Sequence, residues 1–391
     1  MINVNDLKII ITIILLCLIT FILNYKKNTT QQKFALTESD SNKKLIFNQI
    51  KQNIIQTKTK LGETRFGLVL KNGYPIIRLI SNAYGYNAIF ELASYVEKYV
   101  DIFYVANIID GIYLRLRKIK KPIMVLYLID PKKINTVIKY DLEIVIPSIE
   151  WYNLAQPYLN KTNTNMKCNI IKAHIWCDSG MGKEGKILHS EILNLYLFLK
   201  ARSNIKLIGL GTKYNTRDVS YATSLTKLKT KNIPNDIIIQ HQNFVKLVQT
   251  ISDPNLIIHT ACTFEVRRDF VESYFGAKGA VRVGTLIYRN IKWFQPLLEI
   301  KTMSDADCYG YYCEKTKKNA PNKQFQMGLT KDFLKLQTEQ INDLKLYDKE
   351  NNLQKNILAR YDPLTFKFNP KSNLKVGSIL TLVYDDLFAY K

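Results

Sequence analysis

Four short stretches carry the residue types that chemistry needs. "ISNAYGYNA" (Ile80–Ala88) sets a glycine between two tyrosines just past the apolar run "YPIIRLI". "CDSGMGKEGKI" (Cys177–Ile187) is a glycine-rich loop with an aspartate at its head and two lysines. "HTACT" (His259–Thr263) is followed by "VRVGTLIY", where Arg282 sits inside an apolar strand. "CYGYY" (Cys308–Tyr312) supplies further ring hydroxyls. Gly180 to Ile187 falls one residue short of the phosphate-binding pattern G-x-x-x-x-G-K-[ST], because Ile187 stands where a magnesium-binding hydroxyl belongs. A tight glycine-rich turn is the plainer reading. "GLGT" (Gly209–Thr212) lacks the third glycine of a dinucleotide fingerprint. His259 taken alone reads as a satisfied core histidine. The charge of Arg282 needs a partner, either a salt bridge or a ligand.

Nine apolar runs have strand character: "RFGLVL", "YPIIRLI", "DIFYVA", "PIMVLYLI", "LEIVIP", "IIKAHIWC", "IKLIGLG", "LIIHTA" and "AVRVGTLIY". Between them "NAIFELASYVEKYV" and "SEILNLYLFLKAR" place apolar residues three and four apart, as helices do. About eight strands, each followed by a helix, predict an α/β fold: a (β/α)8 TIM-like barrel over residues 61–295. A doubly wound open sheet is the alternative, disfavoured by the absence of a glycine-rich first turn. From residue 296 to 391 the strands lack long helices between them, which predicts a C-terminal β-rich domain.

The chain has 391 residues, is 47% hydrophobic and carries a formal net charge of +23. That charge is spread out without a basic block, so nucleic acid is not an expected partner. Six cysteines form no C-x-x-C pair or zinc-ligand pattern, which fits a reducing compartment and no metal. At the N-terminus, residues 1–24 contain the run Ile9–Leu23. No small-residue cleavage site follows it, so the expectation is an uncleaved N-terminal hydrophobic helix anchoring the chain to a membrane. Lysines after it place the main domains in the cytoplasm. Residues 25–60 read as a polar linker with one helix.

Taken in order, the four stretches resemble the alanine racemase family, barrel enzymes dependent on pyridoxal 5'-phosphate (PLP). "ISNAYGYNA" resembles K-A-N-A-Y-G-H-G, "CDSGMGKEG" resembles D-T-G-M-x-R-x-G, and "HTACT" with "VRVGTLIY" resembles H-x-A-N-S then V-R-P-G-x-x-x-Y. "CYGYY" resembles the S-Y-G segment of the second domain. The resemblance covers residues 65 to 385 and implies interconversion of L- and D-alanine for peptidoglycan by a head-to-tail homodimer. Asn82 and Tyr84 then belong to the cofactor motif. Tyr84, Thr263, Gly284 and Thr285 would surround the cofactor phosphate. Arg282 would face the pyridine nitrogen, His259 would support the ring region, and Tyr309 would be the tyrosine base reaching into the partner.

The departures matter as much. The family's Schiff-base lysine aligns with Ile80, which cannot form an imine. Arg78 shares a face with it if the run is a strand, but stays protonated. Lys71, before the turn "NGYP", is not expected to reach. Lys183 replaces the motif arginine, Trp176 the carbamylated lysine, and Cys262 the asparagine. The expectation is a catalytically impaired, membrane-anchored relative that binds PLP non-covalently if at all. Two alternatives are a working racemase with a relocated lysine such as Lys213, and a non-enzymatic PLP-binding or regulatory partner.

Overall fold

The structure is a computed structural model. It describes residues 41–71, 74–159, 170–180, 182, 185–214, 235–262, 266 and 275–303, then short segments at 308–309, 314–315, 325–330, 344–347, 353–354, 364–368 and 374–384. The chain divides into two compact units, Met1–Ile46 and Phe47–Lys391. Only residues 41–46 of the first are described, and they are helical. The expected anchor at Ile9–Leu23 lies outside the described residues. No helix among those described is long and apolar enough to cross a membrane.

Eight parallel strands close into a barrel in sequence order: β1 (Arg65–Leu70), β2 (Ile102–Val105), β3 (Ile123–Val125), β4 (Glu143–Val145), β5 (Ile171–Cys177), β6 (Ile205–Thr212), β7 (Ile257–Cys262) and β8 (Gly279–Val283). β8 returns to β1, with Arg282 paired to Gly67. Helix α1, residues 41–61, precedes the barrel. The others among the described residues are α2 (Pro75–Tyr84), α3 (Asn87–Val96), α4 (Ile108–Leu116), α5 (Ile134–Lys139), α6 (Ile149–Leu159), α7 (His189–Lys200) and α8 (Asn235–Ile251).

Eight of the nine strand-like runs are barrel strands. The exception is "YPIIRLI", which forms most of α2. Pro75 occupies the first helical turn, where its missing N–H costs nothing, and Gly85 ends the helix with φ 82°. Ile76, Ile77, Leu79 and Ile80 are all buried while Arg78 is half-buried, a helical stripe rather than a strand's alternation. "SNAYGY" is therefore the α2–α3 corner, not the edge of a strand. Its Tyr86 hydroxyl donates to the Asp110 carboxylate at 2.6 Å, on the first turn of α4.

The barrel centre is filled by Val69, Ile102, Tyr104, Met124, Val145, Trp176 and Ala280, drawn from six strands. β6 faces this centre with Gly209 and Gly211. A methyl group on Gly209 would meet His174 and His259, and one on Gly211 would meet the Trp176 ring. The bare glycine stripe is what admits three large rings.

Past the barrel, β9 (Ile291–Met303) enters a six-stranded antiparallel sheet of order β14–β13–β16–β9–β12–β15. Its other strands are β12 (Phe325–Thr330), β13 (Leu344–Tyr347), β14 (Leu353–Gln354), β15 (Leu364–Phe368) and β16 (Ile379–Tyr384). β10 (Cys308–Tyr309) and β11 (Glu314–Lys315) form a separate hairpin.

Candidate active site

The strand ends converge at the C-terminal mouth, where barrels of this kind place their chemistry. On β1, Gly67 and Val69 face the centre, so the strand's period of two brings Lys71 to the same face one residue beyond its end. The Lys71 amine lies over the Tyr127 ring, 5.1 Å from its centroid, at the mouth beyond β3. Lys71 therefore reaches the mouth, contrary to expectation. Ile80, read as the occupant of the lysine's place, is instead fully buried on α2. Arg78 sits on that helix too, so it shares no strand face with the site.

β8 contributes Arg282, Gly284 and Thr285 at and just past its end. Arg282 is buried. One guanidinium nitrogen donates to the Thr212 carbonyl at 2.6 Å, and the guanidinium carbon lies 4.9 Å from the Trp176 ring centroid. The other terminal nitrogen, Nη1, is buried without a partner among the described residues. The charge thus has a carbonyl and a π face but no carboxylate within ion-pair distance there. Gly284 needs its missing Cβ, because a methyl there would collide with the Tyr74 phenol. Tyr74 thus stands beside the end of β8. Tyr84 closes α2, and Asn82 lies on the same helix.

Below the mouth runs a buried polar layer that the motifs did not reveal. His174 Nε2 pairs with Glu143 at 2.8 Å, and His259 Nδ1 pairs with the Tyr104 hydroxyl at 2.8 Å. The two imidazoles pack edge to face, 4.9 Å between centroids. Burial first, then the neighbouring His174 and Arg282, hold His259 well below the usual imidazole range, so it is neutral near pH 7. Burial likewise raises the Tyr104 phenol. His259 is thus a buried, neutral imidazole beneath the mouth and not a free base.

The loop "CDSGMGKEG" follows β5. Asp178 accepts from the amides of Gly180 and Gly182 at 3.0 and 3.2 Å, and Lys186 bridges back to Cys177. α7 begins only at His189, after this fold-back, so the loop does not wrap a helix N-terminus as a nucleotide loop would. Lys213 follows β6 in phase with Gly209 and Gly211. Lys183 and Thr263 lie outside the described residues. Tyr309 lies on β10, paired with Glu314.

The family model of the alanine racemase N-terminal domain matches residues 47–290. The chain belongs to the alanine racemase family. Its relatives include the alanine racemase of Lactococcus lactis subsp. cremoris, 30% identical over 183 residues, 47% of this chain and 44% of the relative. That of Streptococcus equi subsp. zooepidemicus is 26% identical over 215 residues, 55% and 52% of the two chains. The chain thus spans about half the length of these relatives. Among solved structures, the alanine racemase of E. faecalis superposes with a TM-score of 0.60 at 16% identity, covering 89% of this chain and 90% of that one. The Bacillus anthracis alanine racemase with bound L-Ala-P gives 0.58 at 16% identity, covering 87% and 83%. These structural likenesses establish the shared fold.

The family is PLP-dependent. The residues at this mouth fit that cofactor. A buried guanidinium has an unpartnered N–H, a strand-end glycine leaves room beside a tyrosine, and an amine stands at the end of β1.

Proposed function

We propose that this chain is a PLP-dependent amino-acid racemase in which Lys71, rather than a residue of "ISNAYGYNA", carries the cofactor. The observation behind this reading is the inward phase of Gly67, Val69 and Lys71 along β1, which supplies an amine at the barrel mouth. PLP, when bound, supplies an electron sink for negative charge developing at the substrate's α-carbon. Lys71 would hold the cofactor and shuttle the α-proton on one face. Tyr309, contributed by the partner of a homodimer, would serve the other. Arg282 would donate its free N–H to the ring nitrogen. Tyr74, Gly284 and Thr285 would bind the phosphate. The neutral His259–Tyr104 pair adds no charge to the floor of the site. Alanine is the substrate the family suggests, and Ile9–Leu23 would tether the barrel to the cytoplasmic face of a membrane.

The full chain, incubated with PLP, reduced with borohydride and mapped by mass spectrometry, tests this. Modification of Lys71, with racemisation of L-alanine abolished in Lys71→Ala, is the expected result. Modification of Lys213 instead would support the relocated-lysine alternative. Absence of any adduct would support an impaired protein with a binding or regulatory role. That second reading draws support from Trp176, which stands where the family's carbamylated lysine aligns.

A further inference from the structure

In this chain the centre of the barrel holds a cluster built from four strands around Trp176, a residue outside the family motifs. Trp176 on β5 lays its benzo ring over Gly211 of β6, where an added Cβ would come within 2.5 Å of the indole. Above the indole lies the Arg282 guanidinium of β8. His259 of β7 flanks the same indole, with centroids 5.9 Å apart. The Arg282 side chain has rotatable bonds to spare, yet among the described residues one terminal nitrogen has an acceptor, the Thr212 carbonyl, and the other has none. A terminal nitrogen without an acceptor leaves that side of the guanidinium free to swing. An aromatic face beneath it removes that freedom, because the cation sits best flat over the ring.

We propose that Trp176 is a positioning residue: its indole, seated on Gly211, is the shelf that holds Arg282 flat and keeps one N–H turned toward the acceptor atom of the bound cofactor. The inference rests on the PLP reading above. It adds that cofactor affinity and the electronic state of the bound ring depend on a tryptophan that does not itself touch them. A cation–π contact in a desolvated site corresponds to roughly a five- to thirtyfold effect on binding.

The experiment compares the full-length parent with Trp176→Leu, Trp176→Phe, Gly211→Ala and the double variant Gly211→Ala/Trp176→Phe. Each is titrated with PLP, its absorption maximum is recorded, and borohydride mapping locates the adduct. Trp176→Leu is expected to bind PLP about five- to thirtyfold more weakly with a displaced absorption maximum, and Trp176→Phe to stay within about threefold of the parent. Gly211→Ala keeps the tryptophan but lifts it, and should copy the leucine variant. The double variant should recover binding, because phenylalanine lacks the ring atoms that meet the new methyl. This pair keeps the test informative if Trp176→Leu does not fold. A parent that forms the Lys71 adduct, with Gly211→Ala or Trp176→Leu binding equally tightly at an unchanged absorption maximum, overturns the shelf alone. A parent that forms no adduct overturns the PLP reading and the shelf with it.

Discussion

Replacing Ile80 by lysine separates two accounts of the site. If the motif alignment decides, the substitution restores the family's lysine and should create an attachment point for PLP. If the structure decides, it places an ammonium on the apolar stripe of α2. Ile80 is 0% exposed, and Ile76, Ile77 and Leu79 beside it are at most 1% exposed. Removing the buried isoleucine forfeits about 1.5–3 kcal/mol of transfer free energy. A lysine forced to neutralise there, with its pKa lowered by about 3 units, costs about 4 kcal/mol more, less whatever it recovers by reaching toward water. A net loss of about 3–6 kcal/mol is a large share of an ordinary domain's 5–15 kcal/mol. At about 2–4 °C per kcal/mol, the melting temperature should fall by roughly 6–24 °C. Circular dichroism melts, PLP mapping and an L-alanine racemisation assay on parent and Ile80→Lys read this directly. The structure predicts a destabilised protein with no adduct at residue 80. A variant that melts within about 2 °C of the parent and takes PLP at residue 80 would refute the assignment of β1 and of α2 together.

Gly209→Ala should destabilise by about 2–3 kcal/mol, since the methyl would sit 2.6 Å from His174 Nδ1, 2.7 Å from the Ile257 carbonyl and 2.8 Å from His259 Nε2. A melt unchanged from the parent would mean the imidazoles do not fill the barrel there. Burial lowers the pKa of His259 and of His241 below the imidazole's free value near 6.5. The unfolded chain then takes up more protons below that pH, so stability is complete above about pH 6.5 and is lost as pH falls toward the folded values. Urea midpoints equal at pH 7.5 and 5.5 would contradict this. Cys177 is buried, and burial pushes its thiol up to about 12, so iodoacetamide at pH 8 should leave it unlabelled in the native protein and label it only in urea. Gly284→Ala would push the Tyr74 ring off its seat against Tyr288, so it should cost about 1–3 kcal/mol of stability while weakening PLP binding severalfold.

Eight of the nine strand runs were readable because a parallel barrel buries both faces of its strands and leaves short apolar blocks behind. "YPIIRLI" forms a helix against expectation because an apolar block bounded by a turn has no period of its own to set strand against helix. Its proline at the first position and Gly85 at its end were the available signals. The buried layer was less accessible. Nothing in the sequence spacing brings Glu143 to His174 or Tyr104 to His259, which lie 31 and 155 residues apart and meet only once the barrel closes. Arg282 was legible as a charge in an apolar strand that demands a partner, but its partner is a tryptophan face rather than a carboxylate.

Two segments of this chain compete for the role of first strand, and the outcome fixes what the site contains. "RFGLVLKNGY" and "YPIIRLISNAYGY" each run from apolar residues through a polar pair to a glycine and a tyrosine. The second carries the family's words, but its apolar residues stand at 76, 77, 79 and 80, which is a helix stripe. The first places a glycine and a valine on the face that meets Tyr104 and the rest of the core, and its next inward residue is a lysine. A motif records which residues once stood together in a family. The strand's period records which side chain now points into the barrel, and chemistry depends on the second. On that argument, the lysine that matters to this protein is the one whose phase along β1 puts it at the mouth.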